Sequence, residues 1–339
     1  MSVQRAPTGS VTLIMPIRNE ARFIERSLGA VLAQDYPPEQ LEILVVDGAS
    51  TDDTPLIVRR VIADRPNARL LHNPARIVPA AMNAGLAAAQ GEIVVRVDGH
   101  TVVAPDYVRR CVAALQQTGA DCVGGPMRAE GETAFGQAVA LATSHPFGVG
   151  GARFHYATQP QEVDTVYMGA WPRAVFDRVG LFDEEMACNE DDEFNYRLRA
   201  AGGHIWLDPA IHSTYTTRAT LHSLCRQYAR YGLYKVRVFQ KVPGSAQTRH
   251  WAPPLFALAV LGGLPIALVI PLLRLPYLAG LALYALADVF FSARIAARVG
   301  WRHFPLLLLV FPSLHLSYGA GFWGGTFRFG LPGKKAREK

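Results

Sequence analysis

Three short apolar runs in the first hundred residues each give way abruptly to polar side chains. "VTLIMPI" (11–17) runs into Arg18-Asn19-Glu20, "LEILVVD" (41–47) into Gly48-Ala49-Ser50-Thr51-Asp52-Asp53, and "EIVVRV" (92–97) into Asp98-Gly99-His100. Runs this short, rich in β-branched residues and without strict alternation, read as strands buried on both faces. Helical patterns separate them. One spans 20–34 with Phe23, Ile24, Leu28, Val31 and Leu32 on about one face. A second opens at Thr54-Pro55, as N-cap and first helical position, and reaches about Asp64; a third is the Ala-rich 78–89. "ARLLHN" adds another strand. The connections are too long for hairpins, so the alternation predicts an α/β, Rossmann-like fold: a mostly parallel sheet with helices on both faces. Such sheets bind ligands beyond the carboxyl ends of their strands, and the three polar runs should open on that one edge.

After Gly125 the alternation loosens. "TVYMGAWPRAVF" (165–176) reads as a strand and a helix start. "NEDDEFNYRLRAAG" (189–202) reads as a helix whose acidic first turn suits its dipole and which closes at Gly202-Gly203. "HIWLDP" is a strand. Residues 221–241 form a long basic helix, with Leu224, Tyr228, Tyr231 and Val238 among its apolar positions, able to lie on a membrane surface. Mean hydropathy is +0.12, and the apolar excess lies after Trp251. Residues 254–273 carry no charge and are long enough to cross a hydrocarbon core of about 30 Å. Residues 276–291 are a shorter apolar stretch with Asp288 in it. Residues 304–325 are Gly-rich and interrupted by Pro312. Two crossings keep the basic loop 294–302 cytoplasmic, whereas a third would carry the basic "KKAREK" end outside; the third segment is therefore expected to be interfacial or re-entrant. The expected organisation is a catalytic domain over 1–245, with a nucleotide-binding half to about 125 and an acceptor half from about 126. An α-helical membrane-associated tail over 250–330 and a basic tail over 331–339 follow. A chain of 339 residues fits about two units.

Charge and cysteines exclude other classes. The net charge of +6 gathers late, at Arg226, Arg230, Lys235, Arg237 and Lys241, then Arg294, Arg298 and Arg302, then 334–339. No basic block with interleaved aromatics occurs in the first 200 residues, so nucleic acid is not an expected partner. The four cysteines, Cys111, Cys122, Cys188 and Cys225, form no C-x-x-C pair, which speaks against a zinc or dithiol site and fits reduced thiols. "MSVQRAPTGS" has no apolar core of a secretory signal.

Asp98 and His100, one residue apart at a strand end, suit a divalent cation that completes its shell with phosphates and water. The same tripeptide also reads as a plain polar turn. Asp47 can accept hydrogen bonds from a base or ribose, or simply start an Asp-Gly turn. Ser50 and Asp52 can cap the following helix. The acids Glu190 to Glu193 can be a dipole-compensating helix start, or crowd one carboxyl upward in pKa to make a general base. Arg226 and Arg230, four apart with Gln227 beside them, can clamp a diphosphate or face lipid.

Together, "PIRNE", "VVDGASTDDT", "NAGLAAAQGEIVVRVDGH", "NEDDEFNYRLRAAG" and "QYARY" resemble glycosyltransferase family 2, of GT-A fold, over about Val11 to Lys241. Within it the chain is similar to bacterial exopolysaccharide enzymes of the succinoglycan type, which add glucose to a lipid-linked oligosaccharide and carry C-terminal apolar segments; "HLSYGAGFWGG" (315–325) fits that pattern. The resemblance implies a nucleotide-sugar donor such as a UDP-sugar, a lipid-linked saccharide acceptor and a divalent metal, Mn²⁺ or Mg²⁺. It also implies attachment to a bacterial inner membrane with the catalytic domain in the cytoplasm. Carried over, Pro16, Arg18 and Glu20 line the nucleotide pocket, Asp47 holds the base with Asp52 nearby, and Arg76 and Asn83 sit by the ribose or diphosphate. Asp98 and His100 stand at the metal-binding D-x-D, and Asp191, after Glu190, matches the catalytic base. Gln227, Arg230 and Tyr231 stand at Q-x-x-R-W, and acceptor contacts are expected around Tyr167 to Trp171, with Trp171 among them. His100 replaces an acid, which favours Mn²⁺; Tyr231 replaces Trp and the membrane segments are too few for a polymer channel, which speaks against a processive synthase. The implied reaction is a single displacement with inversion. The rival readings are a polyprenyl-phosphate glycosyltransferase and a catalytically silent membrane scaffold of the same fold. A nucleotidyltransferase is disfavoured because no Gly-rich, Lys-bearing loop follows the first strand.

Overall fold

The protein was analysed as a computed structural model that describes residues 9–332; the expected basic tail from residue 333 lies outside them. The chain divides into two compact units, Met1–Arg128 with Tyr156–Tyr215, and Ala129–His155 with Thr216–Lys339. The division is not at the expected 245. The basic helix over 221–241 and a segment of the expected acceptor half both belong with the C-terminal helices.

In the first unit β1 (Val11–Ile17), β2 (Leu41–Asp47), β3 (Ala68–His72) and β4 (Ile93–Arg96) run parallel, with α1 (Ile24–Leu32), α2 (Thr54–Val61) and α3 (Val78–Ala88) between them. Then come β5 (Thr101–Val103), α4 (Tyr107–Thr118), β6 (Cys122–Gly125) and β7 (Met127–Glu130). The helices α5 (Ala134–Thr143) and α6 (Pro146–Val149) belong to the second unit. The chain returns through β8 (Gln161–Glu162), β9 (Tyr167–Pro172), α7 (Ala174–Val179), α8 (Glu190–Ala200), β10 (Ile205–Leu207) and β11 (Ser213–Thr216). The main sheet has the order β3-β2-β1-β4-β9-β6-β10-β8, and a smaller one β5-β11-β7. β9 is inserted antiparallel between β4 and β6, which alternation along the chain does not foretell.

Every residue of β1 is buried, as a central strand covered on both faces requires. On α1, Ile24, Leu28 and Val31 fall on one stripe and are fully buried; each contributes about 1.5–3 kcal/mol of transfer free energy. α3 seats on β1 only because residue 85 is glycine: a Cβ there would lie 2.6 Å from Ile14 Cγ2. Thr54 is the first helical residue rather than the cap, which falls at Asp53. Its buried hydroxyl instead accepts from the Glu20 amide at 2.8 Å and donates to Asp52 Oδ1, tying the ends of β1 and β2 together. β2 lies on one side of β1 and β4 on the other, so the strand order reverses between β1 and β4. That switch point is where such sheets open a ligand crevice.

The second unit is helical. α9 (Leu221–Lys241) is followed by α10 (Thr248–Ala257), which passes through a π turn into α11 (Gly263–Val269); α12 (Arg274–Val299) and α13 (Phe304–Phe329) complete it. Three segments are long and apolar enough to cross a membrane: Thr248–Val269, Pro271–Val299 and Trp301–Phe329. The interruption expected at Pro312 is absent. α13 runs through it, with the Ser313 hydroxyl donating to the Leu309 carbonyl at 2.6 Å. α13 meets α9 along a glycine seam: a Cβ on Gly321 would lie 1.9 Å from the Ala229 carbonyl, one on Gly325 2.4 Å from that of Leu233, and one on Gly232 2.0 Å from that of Tyr318. Gln240 of α9 caps the end of α13, its side-chain amide donating to the Phe329 carbonyl at 2.8 Å. Ala138, Ala142, Leu224, Ile295, Leu307, Phe311 and their neighbours form one apolar core of this unit.

Candidate active site

The turn after β4 explains why an apolar strand ends in Asp-Gly-His. A Cβ on Gly99 would lie 2.8 Å from Ile17 Cγ2 and 3.1 Å from Glu20 Cγ, so only glycine lets this turn pack against the end of β1. The buried Ser27 hydroxyl of α1 donates to the Gly99 carbonyl at 2.5 Å. His100 Nδ1 lies 2.9 Å from Glu20 Oε1. A carboxylate there accepts a hydrogen bond from Nδ1–H and leaves the lone pair on Nε2, the arrangement that supports metal-ligating imidazoles. The His100 ring also meets Tyr215 edge-on, 5.5 Å between centroids. Among the described residues no three His, Cys, Asp or Glu side chains gather into a ready metal cage. The donor set fits a cation carried in by a diphosphate, which needs few protein ligands.

Asp98 is joined to the acidic turn of α8 through one side chain that motif reading passes over. Arg96, the last residue of β4, donates from Nε to Asp98 Oδ1 at 2.7 Å and from Nη2 to Glu190 Oε1 at 3.0 Å. Its side chain is 7% exposed. Burial works against its charge, but Asp98, Glu190 and Asp191 more than offset this and raise its pKa. Removing one member of such a buried set strands a charge, at about 3–5 kcal/mol. Nη1 of Arg96 is buried with no hydrogen-bond partner, a loss of about 1–3 kcal/mol in a native interior. A charged residue at the end of an otherwise apolar "IVVR" strand was the signal in the sequence, because a buried guanidinium demands acids.

α8 starts at Glu190 behind Asn189, which takes the left-handed conformation at φ 59°. Of the four acids, Glu193 is structural: it is buried and paired with Arg197 at 2.8 Å. Asp191 keeps some solvent access, with Oδ1 accepting from the Asp192 amide at 2.8 Å. Burial, then the charges of Glu190 and Asp192, push its carboxyl up to about 7 against the pull of Arg96. A carboxylate so poised can take a proton near neutral pH.

The other expected residues divide. Asp47 ends β2 opposite Ile17, its carboxylate taking the Ser50 hydroxyl at 2.5 Å. Pro16 lies within β1, and Arg18 donates to the Arg76 carbonyl at 3.2 Å. Asp52 fastens the loop: burial raises its pKa, but the Thr54 hydroxyl and amide and the Ala21 amide outweigh this and hold it low. Two expectations need correction. Asn83 donates to the Phe182 carbonyl and Glu184 Oε1, both at 2.9 Å, and accepts from the Phe182 amide at 3.0 Å, so it braces a loop instead of facing a diphosphate. Trp171 is 3% exposed and packs edge-on against Phe176, Phe182 and Phe194; it supports α8 from beneath and is no acceptor platform. Tyr167, in the same strand, has its hydroxyl 2.6 Å from Thr101 Oγ1. Among the described residues, the non-glycine residues at positive φ, Asn19, Ala49, Arg76, Met168 and Asn189, all fall in the first unit beside these residues. Such strain persists where the surroundings over-determine the backbone, as at sites. In the second unit, Gln227 accepts from Arg218 Nε at 3.2 Å and donates to the Tyr231 hydroxyl at 2.8 Å, and Arg230 lies 6.0 Å from the Tyr234 ring centroid.

Residues 12–178 match the model of glycosyl transferase family 2. The chain is 30% identical to the succinoglycan biosynthesis protein ExoA of Rhizobium meliloti over 95% of its own length and 97% of that protein. It is 27% identical, over 68% of itself and 74% of the relative, to a dolichyl N-acetyl-α-D-glucosaminyl phosphate 3-β-D-2,3-diacetamido-2,3-dideoxy-β-D-glucuronosyltransferase of Methanococcus voltae. Among solved structures it is similar to the mannosyltransferase PcManGT of Pyrobaculum calidifontis in complex with GDP-Man and Mn²⁺, with TM-score 0.60, 23% identity, and 93% and 88% of the two chains covered. It is also similar to S. aureus TarS 1–349 with UDP-GlcNAc, with TM-score 0.53, 18% identity, and 95% and 92% covered. The strand-end geometry, the acid pair of α8 and a relative matched nearly end to end lead to one conclusion: the chain belongs to glycosyltransferase family 2, on a GT-A fold.

Proposed function

We propose that this chain is an inverting, divalent-cation-dependent glycosyltransferase, attached to the inner membrane of a bacterium with its catalytic unit in the cytoplasm. It transfers a sugar, glucose first among candidates, from a nucleotide-sugar donor to a lipid-linked saccharide in exopolysaccharide assembly. The observation that carries this reading is the Arg96 bridge: the donor-side carboxylate Asp98 and Glu190, the neighbour of Asp191, meet on one guanidinium. Asp191 takes the proton of the acceptor hydroxyl while that oxygen attacks the anomeric carbon. The departing diphosphate bears charge, and a cation held by Asp98 and His100 would supply the electrostatic offset. Asp47, Arg18 and Glu20 line the nucleotide side, and Gln227, Arg230 and Tyr231 serve acceptor or diphosphate. The Methanococcus voltae relative is named for a dolichyl-linked acceptor that already carries a sugar, which favours a saccharide acceptor over bare polyprenyl phosphate.

Membrane attachment rests on the three apolar segments. α9 carries too many cations to enter hydrocarbon, and α13 is packed along it: Leu307, Phe311 and Leu314 of α13 share a buried cluster with Leu224 of α9, and Gly321 and Gly325 close on α9 further along. A helix held along a basic partner over this length is read as interfacial, which leaves two crossings.

The test is a panel of nucleotide sugars with full-length protein and lipid-linked saccharide, with divalent cation omitted and restored, scored by product and anomeric configuration. Cation-dependent transfer with inverted configuration is expected. Transfer to bare polyprenyl phosphate alone would favour the first rival reading, and no donor binding would favour the silent scaffold.

A further inference from the structure

We propose that Arg96 is the positioning residue that ties donor loading to the readiness of the base. One guanidinium is shared between Asp98 and Glu190, whose neighbour Asp191 feels its charge, and when the donor engages Asp98 that charge passes to the acids of α8. The proposal rests on the reading of Asp191 as the base. Its three supports are geometric. Nε and Nη2 of Arg96 point to different acids, Asp98 at 2.7 Å and Glu190 at 3.0 Å. The side chain is 7% exposed, so water does not screen the division of charge. Nη1 is buried and unpartnered. A guanidinium has five N–H donors in a fixed fork, and an unused pair on a side chain already shared by two acids is the capacity to change partners. The backbone need not move: Arg96 is the last residue of a strand registered against Ile14 of β1. The charged groups acting on Asp191 are Glu190 and Asp192 from α8 and Arg96 from β4. Loading the donor first then draws Arg96 toward α8 and favours the ionised base, so the acceptor meets an active carboxylate only after the donor is in place.

The experiment is a double-mutant cycle read without turnover, on the full chain in detergent. The carboxyl infrared band of Asp191, identified by its loss in Asp191→Asn, is titrated from about pH 5 to pH 9. Asp98→Asn removes the charge that competes for Arg96 while keeping the side chain's shape. It should lower the Asp191 midpoint by about one pH unit when Arg96 is present, and by less than about a third of that in the Arg96→Met background. If Arg96→Met lacks a cooperative melt, Arg96→Lys closes the cycle. Its single ammonium cannot hold two diverging acids, so the shift shrinks in the same way. No shift in either background, or equal shifts in both, overturns the proposal. Full turnover in Asp191→Asn would instead remove the base assignment, and the cycle would still report whether Arg96 shares its charge.

Discussion

A single carboxyl sets the pH behaviour expected here. Asp191 is pushed up to about 7, first by burial and then by Glu190. As a base it must be ionised, so kcat/KM should fall below about pH 7, and Glu190→Gln should move that limb to lower pH by removing a like charge. A rate profile across pH 5–9 checks both. The same shift has a stability sign. The folded state holds this proton above the ordinary carboxylate range, so the destabilisation is absent at low pH, grows as pH rises from about 4, and is complete above about 7. Asp191→Asn should therefore melt higher than wild type at pH 8, with the gap closing toward pH 4; a constant gap would contradict the assignment. His100→Asp, which supplies an oxygen ligand where imidazole stands, should raise the Mg²⁺-to-Mn²⁺ activity ratio. At this scale the sequence makes Asp98, His100 and Asp191 readable because each lies at a strand end or helix start. Arg96 escapes a motif reading because its meaning depends on two acids, one of them 94 positions away. Asn83 and Trp171 mislead for the converse reason: their partners come from the 182–184 loop and from α7 and α8.

Two glycines three residues apart on α13 give opposite expectations. A Cβ on Gly321 would lie 1.9 Å from the Ala229 backbone oxygen, while one on Gly324 would meet nothing within 4 Å. Gly321→Ala should lower stability by about 1–3 kcal/mol through forced separation of α9 and α13. Gly324→Ala should be neutral or stabilising by up to about 1 kcal/mol from helix propensity. Thermal melts of the two variants in one detergent check this, and equal effects would dissolve the seam. β1, β2 and α9 are legible in the sequence because their periodicity is local. The antiparallel entry of β9 is not, since pairing partners are chosen by the sheet and not by the strand. Nor is the course of α13 through Pro312, where the buried cluster of Leu307, Val310, Phe311 and Leu314 holds a helix that proline alone would bend.

For the whole molecule, the proposed two crossings, with α13 at the interface, predict that reporters fused before residue 1 and after residue 339 read the same, cytoplasmic side. Opposite sides would restore a third crossing. The division into units was the part least visible in sequence, because residues 129–155 belong with helices that come more than a hundred positions later. The central claim is that this membrane-attached chain moves a sugar by direct displacement with Asp191 as base. The most direct measurement is single-turnover transfer to lipid-linked saccharide by full-length Asp191→Asn, alongside its donor affinity. Transfer should fall by about 10²–10⁴-fold with donor affinity nearly unchanged. Transfer within a few-fold of wild type would contradict it.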